Sequence, residues 1–456
     1  RNAGREAKGE SDQQAIPSIP TASVKDTLAV ARAVLLPMIS KGVIIRRPRV
    51  LGMAERLDAN TTAVECMKRM RKKYGEGPLM LRIPGRNQAL VFGADHVRHV
   101  LEGTPEPFAP ASAEKKAALA HFQPKGVLIS HGPERTRRRR FNEAVLGNDM
   151  PVHQLAQAMV EIVDEEVERL LSGLGDPREL GWERFENAWF PIVRRVILGS
   201  QARDDDELRE MIDRLRKDAN WAFLHPKRSA LRQAFHERIR MYLDKAEPGS
   251  LAELIARVPN GDDIGPEDQI SHWMFAFDPA GMTTFRGLAL LSTHPDQAEQ
   301  ARAEVETRPG SGRQYLPFLR ATVLEALRLW PTTPVILRET TRETNWRAGL
   351  MPARTSVAIF APYFHRDEER LAEANRFAPE LWDPERPASN MPLVPFSAGT
   401  AVCPARHLVL LVASATLAAL LERQQFEMID VDRLDPSRPL PGTLDHFTLR
   451  FRASKR

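Results

Sequence analysis

The stretch PFSAGTAVCPARH (residues 395–407) carries Cys403, one of only two cysteines in 456 residues. Glycine and small residues surround it, and the apolar run HLVLLVASATLAALLE (residues 407–422) follows. That run reads as a helix, and proline is tolerated at a first helical position, so Pro404 is expected to open it. Free N–H groups at such a helix start and in the glycine-containing loop lie near the sulfur and favour thiolate. Two readings stand at this point. Cys403 is an ordinary buried thiol, or its loop is shaped to hold a metal. One thiolate is enough for haem iron. Zinc wants four ligands, and no neighbouring Cys or His cluster supplies them.

Further upstream, VLEALRLW (residues 323–330) sets Glu325 and Arg328 three apart on one helix face in apolar company. A buried pair needs full hydrogen bonding, which the planar Arg fork suits. It reads as a structural anchor. Earlier still, AGMTT places Ala280, Gly281 and Thr284 on one side of a long apolar helix, residues 266–295. The small pair leaves room there, and the hydroxyl can bond a carbonyl or a guest. A plain packing notch is the bland alternative.

The rest of the chain bounds the class. Hydrophobic residues make up 42% and charged residues 27%, a globular balance. The net charge of +5 is modest for this length. It argues against a protein built to neutralise nucleic acid but allows a basic patch. Two cysteines form no disulfide framework and suit a reducing, cytoplasmic setting. No secretory signal is visible. Residues 1–26 read as a flexible tail and residues 27–456 as a single domain. Residues 27–45 are apolar but interrupted by Arg32, Pro37 and Lys41, so they predict a surface helix rather than a membrane span. Residues 78–93 read as a hairpin, 104–130 as a long loop region, and most of 132–330 as helix. The expected fold is mainly α with a small, mostly N-terminal β-sheet.

Taken in order, the small-small-Thr notch, Glu-x-x-Arg and Phe-x-x-Gly-x-x-x-Cys resemble the cytochrome P-450 superfamily of haem-thiolate monooxygenases. HGPERTRRRRF (residues 131–141) resembles its haem-propionate helix, and HRDE (residues 365–368) its late loop. The resemblance covers roughly residues 60–450. It implies haem b between the long central helix and the cysteine-loop helix, with Cys403 as axial thiolate. Phe396 would pack near the sulfur and Gly399 permit the tight turn. Glu325 and Arg328 would hold the core beneath the haem. Arg135, Arg139 and Arg338 would meet the propionates, and Thr284, beside Ala280 and Gly281, would steer protons to the dioxygen site. Phe275, Val335, Trp221 and Phe223 are pocket candidates.

The implied reaction inserts one oxygen atom from O2 into a small apolar organic substrate, with electrons from a separate ferredoxin and a monomeric enzyme. Departures from the family pattern leave alternatives. Thr283 stands where an acid often precedes the threonine, and Asp278 is not an obvious substitute. That pattern admits a peroxide-using or oxidative-coupling enzyme. A non-catalytic haem sensor or carrier is the reading from another class. Ala401 replaces a basic residue two before the cysteine, and Ala405 replaces a common glycine after it. The third member of the Glu-Arg-Arg network is unassigned, with Arg386 as a candidate. Helical spacing splits the arginine run 135–140 across faces, some inward and some outward toward an acidic partner. No aromatic interleaving marks it for nucleic acid.

Overall fold

The computed structural model describes residues 18–386 and 391–455. Two apolar cores organise it. The larger joins the helices Ala156–Ser172, Trp182–Leu198, Pro266–Thr293, Pro317–Leu329 and Arg406–Arg423. The smaller lies under a five-stranded sheet and the helices beside it.

That sheet runs Leu79–Ile83, Arg86–Leu90, Ser356–Phe360, Val335–Thr340, Phe108–Ala109 in spatial order. The first pair is the expected hairpin, with Leu79 opposite Leu90. Two of the five strands therefore come from residues beyond 330. Val335–Thr340 pairs antiparallel with Ser356–Phe360, which pairs parallel with Arg86–Leu90. A "mostly N-terminal" sheet is corrected to that extent. Local pattern marks strands, whereas pairing across such a chain separation is set by the core they share. A three-stranded sheet near the C-terminus unites Glu179–Gly181, Arg450–Lys455 and Gln424–Met428.

The central helix Pro266–Thr293 starts with Pro266 at its first position and Glu267 and Asp268 in its first turn, where the N-terminal dipole favours negative charge. It is buried along most of its length. Proline 279 removes one ladder donor inside it. The Thr283 hydroxyl donates to the Pro279 carbonyl at 2.8 Å, and the Trp189 indole donates to the Phe277 carbonyl at 2.9 Å. Both contacts brace the loosened turn.

Residues 1–17 of the expected tail lie outside the described residues. Residues 18–26 are part of the fold. Ser18 bridges to Leu350 and Thr21 to Met80, and Ile19 and Ala22 are buried. Residues 104–130, expected as loop, include the helix Ala113–Leu119, capped by Ser112 accepting from the Lys115 N–H. Among the described residues no helix is long and apolar enough to cross a membrane.

Candidate functional site: the cysteine loop and its basic cradle

The cysteine loop is pinned from three sides. The Cys403 N–H donates to the Phe396 carbonyl at 2.9 Å, closing the turn. Gly399 has φ +67°, and a Cβ there would stand 2.2 Å from the Leu101 carbonyl oxygen, so only glycine fits. Thr400 donates its hydroxyl to the Thr104 carbonyl, and Arg406 bonds the Asn148 side chain at 2.8 Å. Contrary to the sequence expectation, Pro404 does not open the helix. It lies in a turn, and the helix starts at Arg406. The Cys403 thiol is also not held low. Burial pushes it up, opposed by the Ala405 N–H and the charges of Arg139 and Arg406. Desolvation outweighs those three without a further partner for the sulfur.

Beside this loop sit cations without counter-charges. Arg338 is 4% exposed and donates to Thr104 Oγ1 at 3.1 Å, its neighbour's Leu337 carbonyl at 2.9 Å and Ser397 Oγ at 3.3 Å. Arg135 is 8% exposed, and its Nε has no partner. Neither guanidinium makes an ion pair among the described residues. Burial, then Arg135, pushes Arg338 down to about 10. Lys115 joins them, donating to the Pro110 and Leu337 carbonyls at 2.7 and 3.1 Å. Burial, then Arg338, takes it down to about 7. Sequence reasoning missed Lys115, because nothing in SAEKKAALA ties it to a strand 222 residues later. Arg139 differs from the expectation. It pairs with Glu143 one turn on at 2.6 Å. Of the other arginines in the run, Arg138 is buried against Ser130, Arg137 pairs with Asp263, and Arg140 is exposed.

Glu325 and Arg328 are both fully buried and joined twofold, at 2.6 and 2.8 Å. Arg328 also donates to the carbonyls of His365, Glu373, Ala374 and Arg376. Glu325 accepts from the Ala378 N–H at 2.8 Å and the Trp382 indole at 2.9 Å. Trp382 thus occupies the third place. Arg386, the sequence candidate, pairs instead with Glu373 at 2.7 Å.

On the central helix, Thr284 is fully buried and donates to the Ala280 carbonyl at 2.8 Å. Gly281 gives no open space: a Cβ there would meet the Trp189 indole at 2.8 Å, so its smallness serves helix packing. Asp278 is engaged by Arg216. Phe275 lies half-buried against Phe122, with Arg216 5.3 Å from its ring centre. Val335 is half-buried at the start of its strand. Trp221 is 49% exposed beneath Arg47, which argues against a place inside a pocket. The Phe223 side chain lies outside the described residues.

Comparison with known proteins agrees with this architecture. The cytochrome P450 family model matches residues 49–245 and 271–446. The chain belongs to the cytochrome P450 family, whose members bind haem b through a cysteine thiolate. It is similar to an isoflavone 2'-hydroxylase of Medicago truncatula, 30% identical over 168 residues, 35% of this chain and 33% of the relative. A methyltetrahydroprotoberberine 14-monooxygenase of Papaver somniferum is 28% identical over 168 residues, 34% and 32% of the two chains. The chain thus spans about a third of the length of the curated relatives it matches. Among solved structures, a retinoic acid-bound cyanobacterial CYP120A1 aligns with TM-score 0.69 at 17% identity, covering 85% of this chain and 94% of that one. Cytochrome P450 CYP102L1 aligns with TM-score 0.71 at 18% identity, covering 86% and 94%. These likenesses concern the fold.

Proposed function

We propose that the protein is a haem-thiolate monooxygenase that inserts one oxygen atom of O2 into an apolar carbon of an organic substrate. The observation that carries this reading is the cradle itself: a pinned cysteine loop beside two buried guanidiniums that lack carboxylate partners. The propionates of haem b are the missing anions, so the residues present fit the group. Bound there, haem supplies reductive activation of dioxygen, and a thiolate ligand favours O–O cleavage.

Each residue then has a task. Cys403 would ligate the iron, and its N–H bond to Phe396 fixes the loop that carries it. Arg135 and Arg338 would bind the propionates through charge-assisted hydrogen bonds, with Lys115 adding charge behind them. Arg139, held by Glu143, would act on the proximal side, where its charge favours thiolate. The Thr284 hydroxyl would hold a proton at the distal face, against the Ala280 carbonyl. Electrons would come from a separate ferredoxin-type donor, and the exposed Arg140 suits an acidic partner. A monomeric, cytoplasmic enzyme is part of this proposal.

The test is a carbon monoxide difference spectrum of the reduced protein. The reading expects the strongly red-shifted band of thiolate ligation, and its absence would overturn the assignment. One observation favours a second reading. With Thr283 bonded to Pro279 and Asp278 held by Arg216, no free carboxylate stands next to Thr284 among the described residues. A peroxide-using enzyme needs no such relay. Turnover with hydrogen peroxide alone, compared with turnover using ferredoxin and NAD(P)H, separates the two.

A further inference from the structure

A histidine and two carboxylates converge away from the cysteine loop, where the helix Ser229–Lys245 meets the start of the central helix. One ring nitrogen of His236 and one carboxylate oxygen from each of Glu267 and Asp268 lie within 4.8 Å of one another. No other such group of three stands among the described residues.

The hydrogen bonds around this cluster leave its centre to acceptors. His236 is 7% exposed, and its Nε2 lies 3.1 Å from the Phe122 carbonyl oxygen and 3.4 Å from Ser271 Oγ. The Ser271 hydroxyl already donates to the Glu267 carbonyl at 2.6 Å. Both neighbours of Nε2 are therefore acceptors, and Nε2 carries the ring proton. Nδ1 is left with its lone pair and no partner among the described residues. Asp268 is 3% exposed, and its Oδ1 accepts from the Lys125 N–H at 2.9 Å. Its Oδ2 has no hydrogen bond or ion pair among the described residues. Glu267 is half-buried, with the exposed Arg240 at 3.3 Å. Burial favours the neutral form of both His236 and Asp268. Two deeply buried acceptors and a third at the edge thus gather with no donor between them, an arrangement that a cation relieves.

We propose that His236, Glu267 and Asp268 bind one zinc ion, with Nδ1 as the imidazole ligand and water completing the set. The donor chemistry selects the metal. Imidazole with carboxylates suits zinc, whereas magnesium and calcium prefer oxygen alone. A metal-binding histidine commonly donates its other ring N–H to a carbonyl, as Nε2 does to Phe122. A tetrahedral ion about 2 Å from each ligand holds them about 3.4 Å apart, so binding draws the three side chains inward. The ion would also act on the segment between the helices Ala113–Leu119 and Gly132–Leu146. Phe122 is tied to His236 and Lys125 to Asp268, and Gln269, next on the central helix, bonds the Lys125 carbonyl at 2.8 Å and the Val127 N–H at 3.2 Å. Zinc would clamp residues 122–127 against both helices.

The experiment is calorimetric titration of the haem-loaded protein, in which the iron keeps Cys403 from zinc, with zinc chloride and with magnesium chloride. The expected result is one saturable zinc site and no magnesium binding. Glu267→Gln and Asp268→Asn should each weaken zinc binding about tenfold or more. Arg240→Gln removes a competing cation and should tighten it about two- to fivefold. Asp268 also holds Lys125, so Glu267→Gln, on a half-buried side chain, is the decisive variant. Absence of saturable zinc binding overturns the proposal, as does binding that Glu267→Gln leaves unchanged, since the ion would then sit elsewhere. In the parent, bound zinc should slow hydrogen exchange at the amides of residues 122–127, and unaltered exchange there would overturn the clamp.

Discussion

Two buried basic regions of this molecule use arginine in opposite ways. Beneath the cysteine loop's helix, Arg328 spends all its donors on Glu325 and four backbone carbonyls, and Glu325 is likewise satisfied by the Ala378 N–H and Trp382. Beside the loop, Arg135 and Arg338 are also buried, at 8% and 4% exposed, yet make no ion pair among the described residues. A charge compensated within the chain is architecture. A charge left uncompensated at comparable burial costs stability and persists only where something else neutralises it. The contrast separates a structural network from the proposed haem cradle without reference to family.

Removing one partner of the compensated pair is the hardest blow to the molecule. Arg328→Ala strands the Glu325 carboxylate and four carbonyls, and should cost about 3–5 kcal/mol of stability in chemical unfolding. Little or no folded protein from that variant would agree. Stability within 1 kcal/mol of the parent would break the comparison. Arg338→Leu should behave in the opposite sense. The haem-free protein keeps or gains stability, because a desolvated charge is removed, while haem transfers to an acceptor globin about tenfold faster. If the haem-free variant lost as much stability as Arg328→Ala, the cradle would be structural after all.

The pH dependence sharpens the same contrast. Lys115 titrates near 10.5 when unfolded and about 7 in the fold. Between those values the unfolded chain binds the extra proton, so the haem-free protein gains stability as pH rises from about 7 to 10.5, and the gain is lost on return. A bound dianionic group beside it would restore the lysine charge and flatten the profile. Unfolding midpoints of the haem-free and haem-loaded protein across that window, with Lys115→Met as reference, give the check. The smallest effect belongs to Thr284→Ala. It removes one helix-side bond, worth about 1 kcal/mol at most. It should leave the thiolate spectrum unchanged and raise the electrons consumed per product. Unaltered coupling would remove Thr284 from proton delivery.

Legibility from sequence followed chain distance. Glu325 and Arg328 are three residues apart, and Thr284 and Ala280 four, so helical periodicity alone brings each pair together. The glycine at 399 could be singled out as turn chemistry, although its true constraint is the Leu101 carbonyl. Trp382, 57 residues from Glu325, carries no local signal that it fills a place expected for arginine. Nor does Trp189 announce that it packs on Gly281, which made one side of the helix look open. Both misreadings concern partners supplied by other elements.

By itself the sequence determined the mainly helical class, the family, the cysteine loop and the buried Glu-Arg pair, because each rests on residue types at short, fixed spacing. Only the tertiary structure decided which charges are compensated. Burial and pairing depend on carbonyls, carboxylates and rings brought in from remote segments, and whether Arg338 or Lys115 has a counter-ion is a property of that assembly rather than of any stretch of chain.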